Sequence, residues 1–350
     1  SITGTLTNTT NAAIVVNYIV TPTSGICAGV TFNVDVTVEP TPIIAAATAT
    51  ICSGSAFTVA PTNGSGNIVP TGTTYTWTVS ANANVTGQSD VTTGVSSISQ
   101  NLVNTTNTAQ TVTYTVTPTI GTCVGAPFTV TVTVDPTPTI AAQTATICSG
   151  GSFTVTPTNG TDIVPSGTTY AWSAPSVTGI TGTGSGSNAT SISGTLSNST
   201  SAPIDVVYSV TPTSGSCVGS VFTVTVTVNP TPIVSDQTIA TCSASAFTVS
   251  QVDGNNNDVV PSTTTYSWSA PAAVTGITGL ALGTNEANFN GTLTNTTTSA
   301  VSVTYVVTPT SGTCVGSTFN VVVTINPTPV VAAKTATVCS ADAFSVAPVD

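Results

Sequence analysis

The side chains in this sequence best equipped for chemistry are its eight cysteines, and they come in two kinds. Cys27, Cys123, Cys217 and Cys314 stand in CVG or CAG turns, while Cys52, Cys148, Cys242 and Cys339 stand in CSG or CSA turns. None forms a CxxC pair and there is no His, so the ligand set of a zinc centre is missing. Thiols in such a chain point to disulfides, which belong to an oxidising, extracellular setting. General acid–base work would fall to carboxylates, because there is no Arg and Lys334 is the single basic side chain. Asp90, Asp162, Asp205, Asp236 and Glu286 are scattered singly, and no carboxylate pair recurs. No catalytic site is expected, and the chain is read as a non-enzyme.

One segment concentrates oxygen ligands. In VDGNNNDVV, Asp253 and Asp258 flank Asn255, Asn256 and Asn257, a density of hard donors that suits Ca²⁺. The segment reads more simply as an Asn/Gly turn, and the corresponding loops TNGSGNIV and TNGTDIV carry fewer carboxylates. Ca²⁺ is thus a weak candidate, and no other cofactor is expected. Nine Asn-x-Ser/Thr sequons occur, at Asn8, Asn63, Asn84, Asn104, Asn159, Asn188, Asn198, Asn290 and Asn295. In a chain so rich in Asn and Thr the bland origin of most of them is composition, and their alternative use is as glycan acceptors.

Composition bounds the partners. Twelve carboxylates against one basic residue give a net charge of −11, which repels phosphate backbones, so no nucleic-acid partner is expected. Only 4 % of residues are charged, so Thr, Ser, Asn and Gly supply the polar surface. No apolar run approaches the roughly 20 residues of a membrane span, so no direct membrane insertion is expected.

These residues are positioned by a repeat. TSGTCVGSTFNVVVTINPTP at Thr310 has near copies at Thr23, Thr119 and Thr213, at intervals of 96, 94 and 97 residues. A period this long matches a whole small β-sandwich of about 100 residues. Within the unit from Pro138 to Pro232, six stretches read as strands, and the last, VFTVTVTV, alternates Phe222, Val224, Val226 and Val228 with three Thr. That alternation marks a half-buried antiparallel strand, and the Gly, Asn, Ser and Pro clusters between strands indicate a sandwich. Trp77, Trp172 and Trp268 each follow a Tyr by two residues and are assigned to the middle of each core. The PTP after each closing strand stiffens a short linker, so neighbouring units are expected to stack end to end. The expected architecture is all-β: a tandem array of immunoglobulin-like sandwiches stacked as a rod. Its parts are a partial repeat over 1–42, repeats over 43–138, 139–232 and 233–329, and a partial repeat over 330–350. The sequence opens and closes inside a unit and is read as an excerpt of a longer array.

The pattern TxCSGxxFTV, TYxWS and VxYxVTPTSGTCVGSxFTVTVTVNPTP resembles the tandem PKD-like, immunoglobulin-like repeats of giant Bacteroidetes surface proteins. The gliding-motility adhesins exported by type IX secretion are of that group. PKD domains proper follow the strand Trp with an acidic glycine turn, which YTWTV, YAWSAP and YSWSAP lack, so the resemblance is to the looser PKD-like class. It implies a secreted, cell-surface stalk.

With that topology in mind, three cysteine pairings deserve comparison. The constant separation of 25 residues, as from Cys27 to Cys52, spans a strand–linker–strand run far longer than the roughly 7 Å a disulfide allows between Cα atoms. Pairing inside a domain, Cys52 with Cys123, is the common habit of small sandwiches. In an immunoglobulin-like topology, however, those two turns lie at opposite poles, and stacking brings the first turn of one unit to the last turn of the next. The favoured pairs are therefore Cys52–Cys217 and Cys148–Cys314, with pairing inside the domain as the alternative. Cys27, Cys123, Cys242 and Cys339 would then pair outside the segment.

The function expected is a stiff stalk presenting an adhesive tip, with neighbouring repeats of the same chain as its partners. The alternatives are a self-assembled extracellular filament or sheath, formed by lateral self-association, and a repeated glycan- or surface-binding module. Loops differ between units while strands and linkers repeat closely, which favours the stalk.

Overall fold

The computed structural model describes residues 1–347. Its secondary structure is almost wholly β, with one 3₁₀ turn at Asn255–Asn257. Three complete sandwiches follow one another, each with a larger sheet facing a smaller layer that is split into two strand pairs in the third unit, and each closes around its own apolar cluster.

In the first complete unit the larger sheet has the order Ala47–Cys52, Phe128–Asp135, Gln110–Ile120, Thr74–Ser80 and Val91–Val95. The facing sheet is Ser55–Val59, Ile98–Asn104 and Val85–Thr86. Phe128–Asp135 is antiparallel to Gln110–Ile120, as its alternating pattern suggests, but it runs parallel to the opening strand Ala47–Cys52. Opening and closing strands must both travel from the entry pole to the exit pole of a unit, and parallel pairing follows from that.

The residues assigned to the core centre divide. The long strand Gln110–Ile120 occupies the middle of its sheet, so Tyr114, fully buried, sits at the centre, with its ring 5.3 Å from Phe57 and 6.4 Å from Trp77. Tyr208 and Tyr305 occupy the same place in the next two units, against Phe153 and Phe289. The Trp strand lies one step nearer the sheet edge. Trp77 and Trp268 are buried there, whereas Trp172 is half-buried and packs against the rim of its cluster. Each indole N–H donates to a backbone carbonyl, of Ser89, Gly184 and Ala281 respectively.

Residues 1–42 contribute one hairpin, Ile14–Val20 with Phe32–Val38, in the register of the long and closing strands of a complete unit.

Candidate functional site at the junctions between units

The junctions are built from the CS turn of one unit, the linker, and the CVG hairpin of the next. Cys52 ends the opening strand, and Ser53 then makes three anchoring bonds. Its N–H donates to Asp135 O at 2.8 Å, its hydroxyl donates to Asn104 O, and the same hydroxyl accepts Asn104 N–H at 2.9 Å. Gly54, at φ 84°, turns the chain back so that its N–H reaches Leu102 O. Gly150 repeats that conformation, and Ala244 adopts it at φ 61° in the third unit.

The partner of that serine is one of the sequon residues. Asn104 is buried, and its amide nitrogen donates to Thr108 O at 2.7 Å and Val134 O at 2.9 Å. Its Oδ1 accepts both the N–H and the hydroxyl of Thr106. Asn198 and Asn295 make the same set, and Asn8 makes it in the N-terminal hairpin. Asn-x-Thr recurs here as a clamp between two strands. Both hydrogens of the nitrogen to which a glycan would be attached are committed. Asn63, Asn84, Asn159, Asn188 and Asn290 are exposed.

The linker joins the two halves. Thr137 donates its hydroxyl to Ser53 O at 3.1 Å, tying the linker to the turn behind it. The next residue, Pro138, packs its carbonyl on Gly219 of the following unit so closely that a Cβ there would lie 2.2 Å from the oxygen. Gly219 N–H in turn donates to Pro212 O, fixing the hairpin that carries Cys217. Two adjacent linker residues thus hold the two sides of the joint, and the Cys52–Cys217 disulfide closes it at a Cα separation of 5.5 Å. At the next joint Thr231 holds Ser149, Pro232 packs on Gly316, and Cys148 is bonded to Cys314 at the same Cα separation of 5.5 Å. Cys217 and Cys314 are buried by this arrangement.

Cys27, Cys123, Cys242 and Cys339 are free thiols. Cys242 and Cys123 nevertheless sit in preformed half-joints: Thr328 donates to Ser243 O, and Gly125 packs on the Pro42 carbonyl.

The two acidic residues of the Ca²⁺ candidate are engaged separately with the backbone. Asp258 is buried and accepts Ser235 N–H at 2.8 Å and the Ser235 hydroxyl at 2.7 Å. Asp162 and Asn67 cap Ala141 and Ala45 in the same way in the other units. Asp253 accepts Val260 N–H, as Asn63 and Asn159 accept Val69 and Val164 N–H. That bond, then the Ser201 hydroxyl of the preceding unit, holds the Asp253 carboxyl below the usual carboxylate range. A neutral amide oxygen does the same work in neighbouring units, so charge is incidental to the position. Among the described residues no three His, Cys, Asp or Glu side chains converge. The groove beside Trp268, between Ser267, Pro271, Leu282 and Thr304, is an open trough on the outer face of the sheet.

Comparison with known proteins agrees with the repeat. The profile of the PKD-like domain matches residues 1–42, 49–138, 145–232 and 240–329. No curated protein matches the chain. Among solved structures, the I-band fragment I67–I69 from titin is similar at 9 % identity and TM-score 0.36, over 83 % of this chain and 97 % of that one. The protocadherin gammaB4 extracellular domain is similar at 13 % identity and TM-score 0.29, over 91 % of this chain and 55 % of that one. Mouse cadherin-23 EC22–24 is similar at 14 % identity and TM-score 0.27, over 82 % of this chain and 99 % of that one.

Proposed function

This chain belongs to the PKD-like domain family, and we propose that it is the stalk of an extracellular structural protein, a stiff rod whose neighbouring units are stapled by disulfides. The observation that carries the reading is the joint. A flexible string of domains has no need of a linker whose consecutive residues, Thr137 and Pro138, are each committed to a different unit with a disulfide across them. Disulfides support a location outside the reducing cytosol. The further step, to the stalk of a cell-surface adhesin of the gliding-motility type, is supported by the sequence resemblance and by loops that differ between units while strands and linkers repeat.

Negative-stain imaging and solution scattering test this. Strands of seven or eight residues at about 3.3 Å each, plus loops, give roughly 35–45 Å of rise per unit. A particle scattering as one compact globule would refute the rod. Peptide mapping without reduction tests the staple: a peptide joining Cys52 to Cys217 supports it, and one joining Cys52 to Cys123 refutes it.

One observation favours a filament or sheath as the second reading. The opening strands Ala47–Cys52, Gln143–Cys148 and Gln237–Cys242 lie at sheet edges and carry no charge, the usual guard against edge-to-edge pairing. The opposite edge is blunted by a register shift opposite Tyr75 and Trp77. Association of rods that rises with concentration and is abolished by Thr48→Lys would support lateral assembly through this edge.

A further inference from the structure

We infer that the two disulfides turn the array into an inextensible, two-ply strap, in which tension is carried by chain that is already extended and the bulk of every sandwich is off the load path. The inference rests on the cross-domain pairing proposed above, not on the straightness of the rod.

The covalent path shows why. From Cys27 the chain runs 25 residues, through the closing strand Phe32–Val38, the linker and the opening strand Ala47–Cys52. At Cys52 the disulfide passes to Cys217, skipping a sequence separation of 165. From Cys217 the next 25 residues again comprise a closing strand, Phe222–Asn229, a Pro linker and an opening strand, Gln237–Cys242. A second path does the same from Cys123 through Cys148, across the bridge to Cys314, and on to Cys339. The two paths alternate, so each of the two bridged joints is crossed once by a linker and once by a disulfide.

Each ply is close to its contour length. A strand rises about 3.2–3.4 Å per residue, against a limit of about 3.3–3.6 Å for a fully extended chain. In the middle unit the plies lie side by side, because the opening strand Gln143–Cys148 of one pairs in parallel with the closing strand Phe222–Asn229 of the other. Both strands run from the entry pole to the exit pole, so axial tension loads them along the strand, and the ladder between them shares load in shear. The Tyr and Trp strands, the facing sheet and all the variable loops lie within the residues that the disulfides bypass. Loop variation is therefore mechanically free, which fits a sequence whose strands and linkers repeat while its loops do not.

The test is stretching of single molecules. Cys27 and Cys242 are exposed free thiols and accept thioether handles directly; Cys123→Ser and Cys339→Ser confine attachment to them. Between the handles lie 215 residues of sequence but only 50 along the strap. The oxidised protein is expected to show no step longer than about 40 Å, since 50 residues cannot exceed about 180 Å. Reduction is expected to release up to about 570 Å of additional contour, the length of the bypassed residues, in steps of whole units. A step above about 100 Å in the oxidised protein, or no gain on reduction, would overturn the strap. A bent array would straighten smoothly at low force without a step, so failure of the rod and failure of the strap are distinguishable.

Discussion

Gly219→Ala is the sharpest test of how the joint is set. The residue has no need of glycine's conformational freedom, since its φ is not positive; what it lacks is room. An added Cβ would stand 2.2 Å from the Pro138 oxygen and 3.0 Å from Pro212 Cγ. Pro138 would have to withdraw by about 1 Å to restore ordinary contact, and overpacking of that kind costs about 1–3 kcal/mol. The disulfide should survive, because the observed 5.5 Å between Cα atoms would grow to about 6.5 Å, within the range of about 4.4–6.8 Å that bridges tolerate. The variant should thus keep four free thiols in a quantitative thiol assay while its middle unit melts earlier, by about 4–8 °C per kcal/mol for a domain of this size. Gly160→Ala is the control, because a Cβ there meets open space and the backbone is not left-handed. If the two variants melt alike, the linker is not docked on the hairpin and the account of the joint fails.

Three other expectations follow from the same geometry. Asn198→Asp replaces a buried double donor by an acceptor facing Ala202 O and Val228 O, and should destabilise its unit by about 1–3 kcal/mol or more in chemical denaturation, whereas exposed Asn188→Asp should change it by less than about 0.5 kcal/mol. Trp77→Ala should cost about 3–5 kcal/mol and half-buried Trp172→Ala clearly less, and equal losses would contradict the placement of Trp172 at the rim. Burial pushes the hydroxyls of Tyr114 and Tyr266 up to about 12, with the Asp258 charge adding to the effect at Tyr266. The stability they contribute is therefore complete below the ordinary pKa of 10 and is lost as the pH rises through 12, so ionisation of these two tyrosines and loss of fold should appear together in that window; Tyr114 or Tyr266 found as phenolate at pH 10 in a folded protein, by site-resolved NMR, would refute it.

The fold was legible because a sandwich in a charge-poor chain writes its two faces as Val and Thr. FTVTVTV leaves little choice of period or face, and its two copies with the variants FNVDVTV and FNVVVTI locate the units. Less legible was the centre of the core. A Trp draws attention by its size, yet strand order decides what is central, and the sequence does not print strand order; the Tyr of VxYxVTP takes the middle because its strand does. The sequons were illegible in a different way. Asn-x-Thr reads as an acceptor for sugar, but its side-chain oxygen and nitrogen also suit a turn that accepts from Thr106 and donates across to Val134, and only the fold tells the two uses apart. The signal was present in the spacing, since Asn104, Asn198 and Asn295 stand 51, 49 and 52 residues after the CS-turn Ser they support, and each stands 30 residues before the closing-strand carbonyl it clamps. Chance sequons keep no such register. The joint was half visible in the same way. PTP reads as a stiffener, and nothing in its letters says that the Thr belongs to the unit behind and the second Pro to the unit ahead. That division of labour turns a rigid dipeptide into an alignment device, because neither contact can shift without straining the other across a single peptide bond. It also explains why a glycine must follow two residues after Cys123, Cys217 and Cys314: the hairpin that offers the thiol has to be bare where the linker lands.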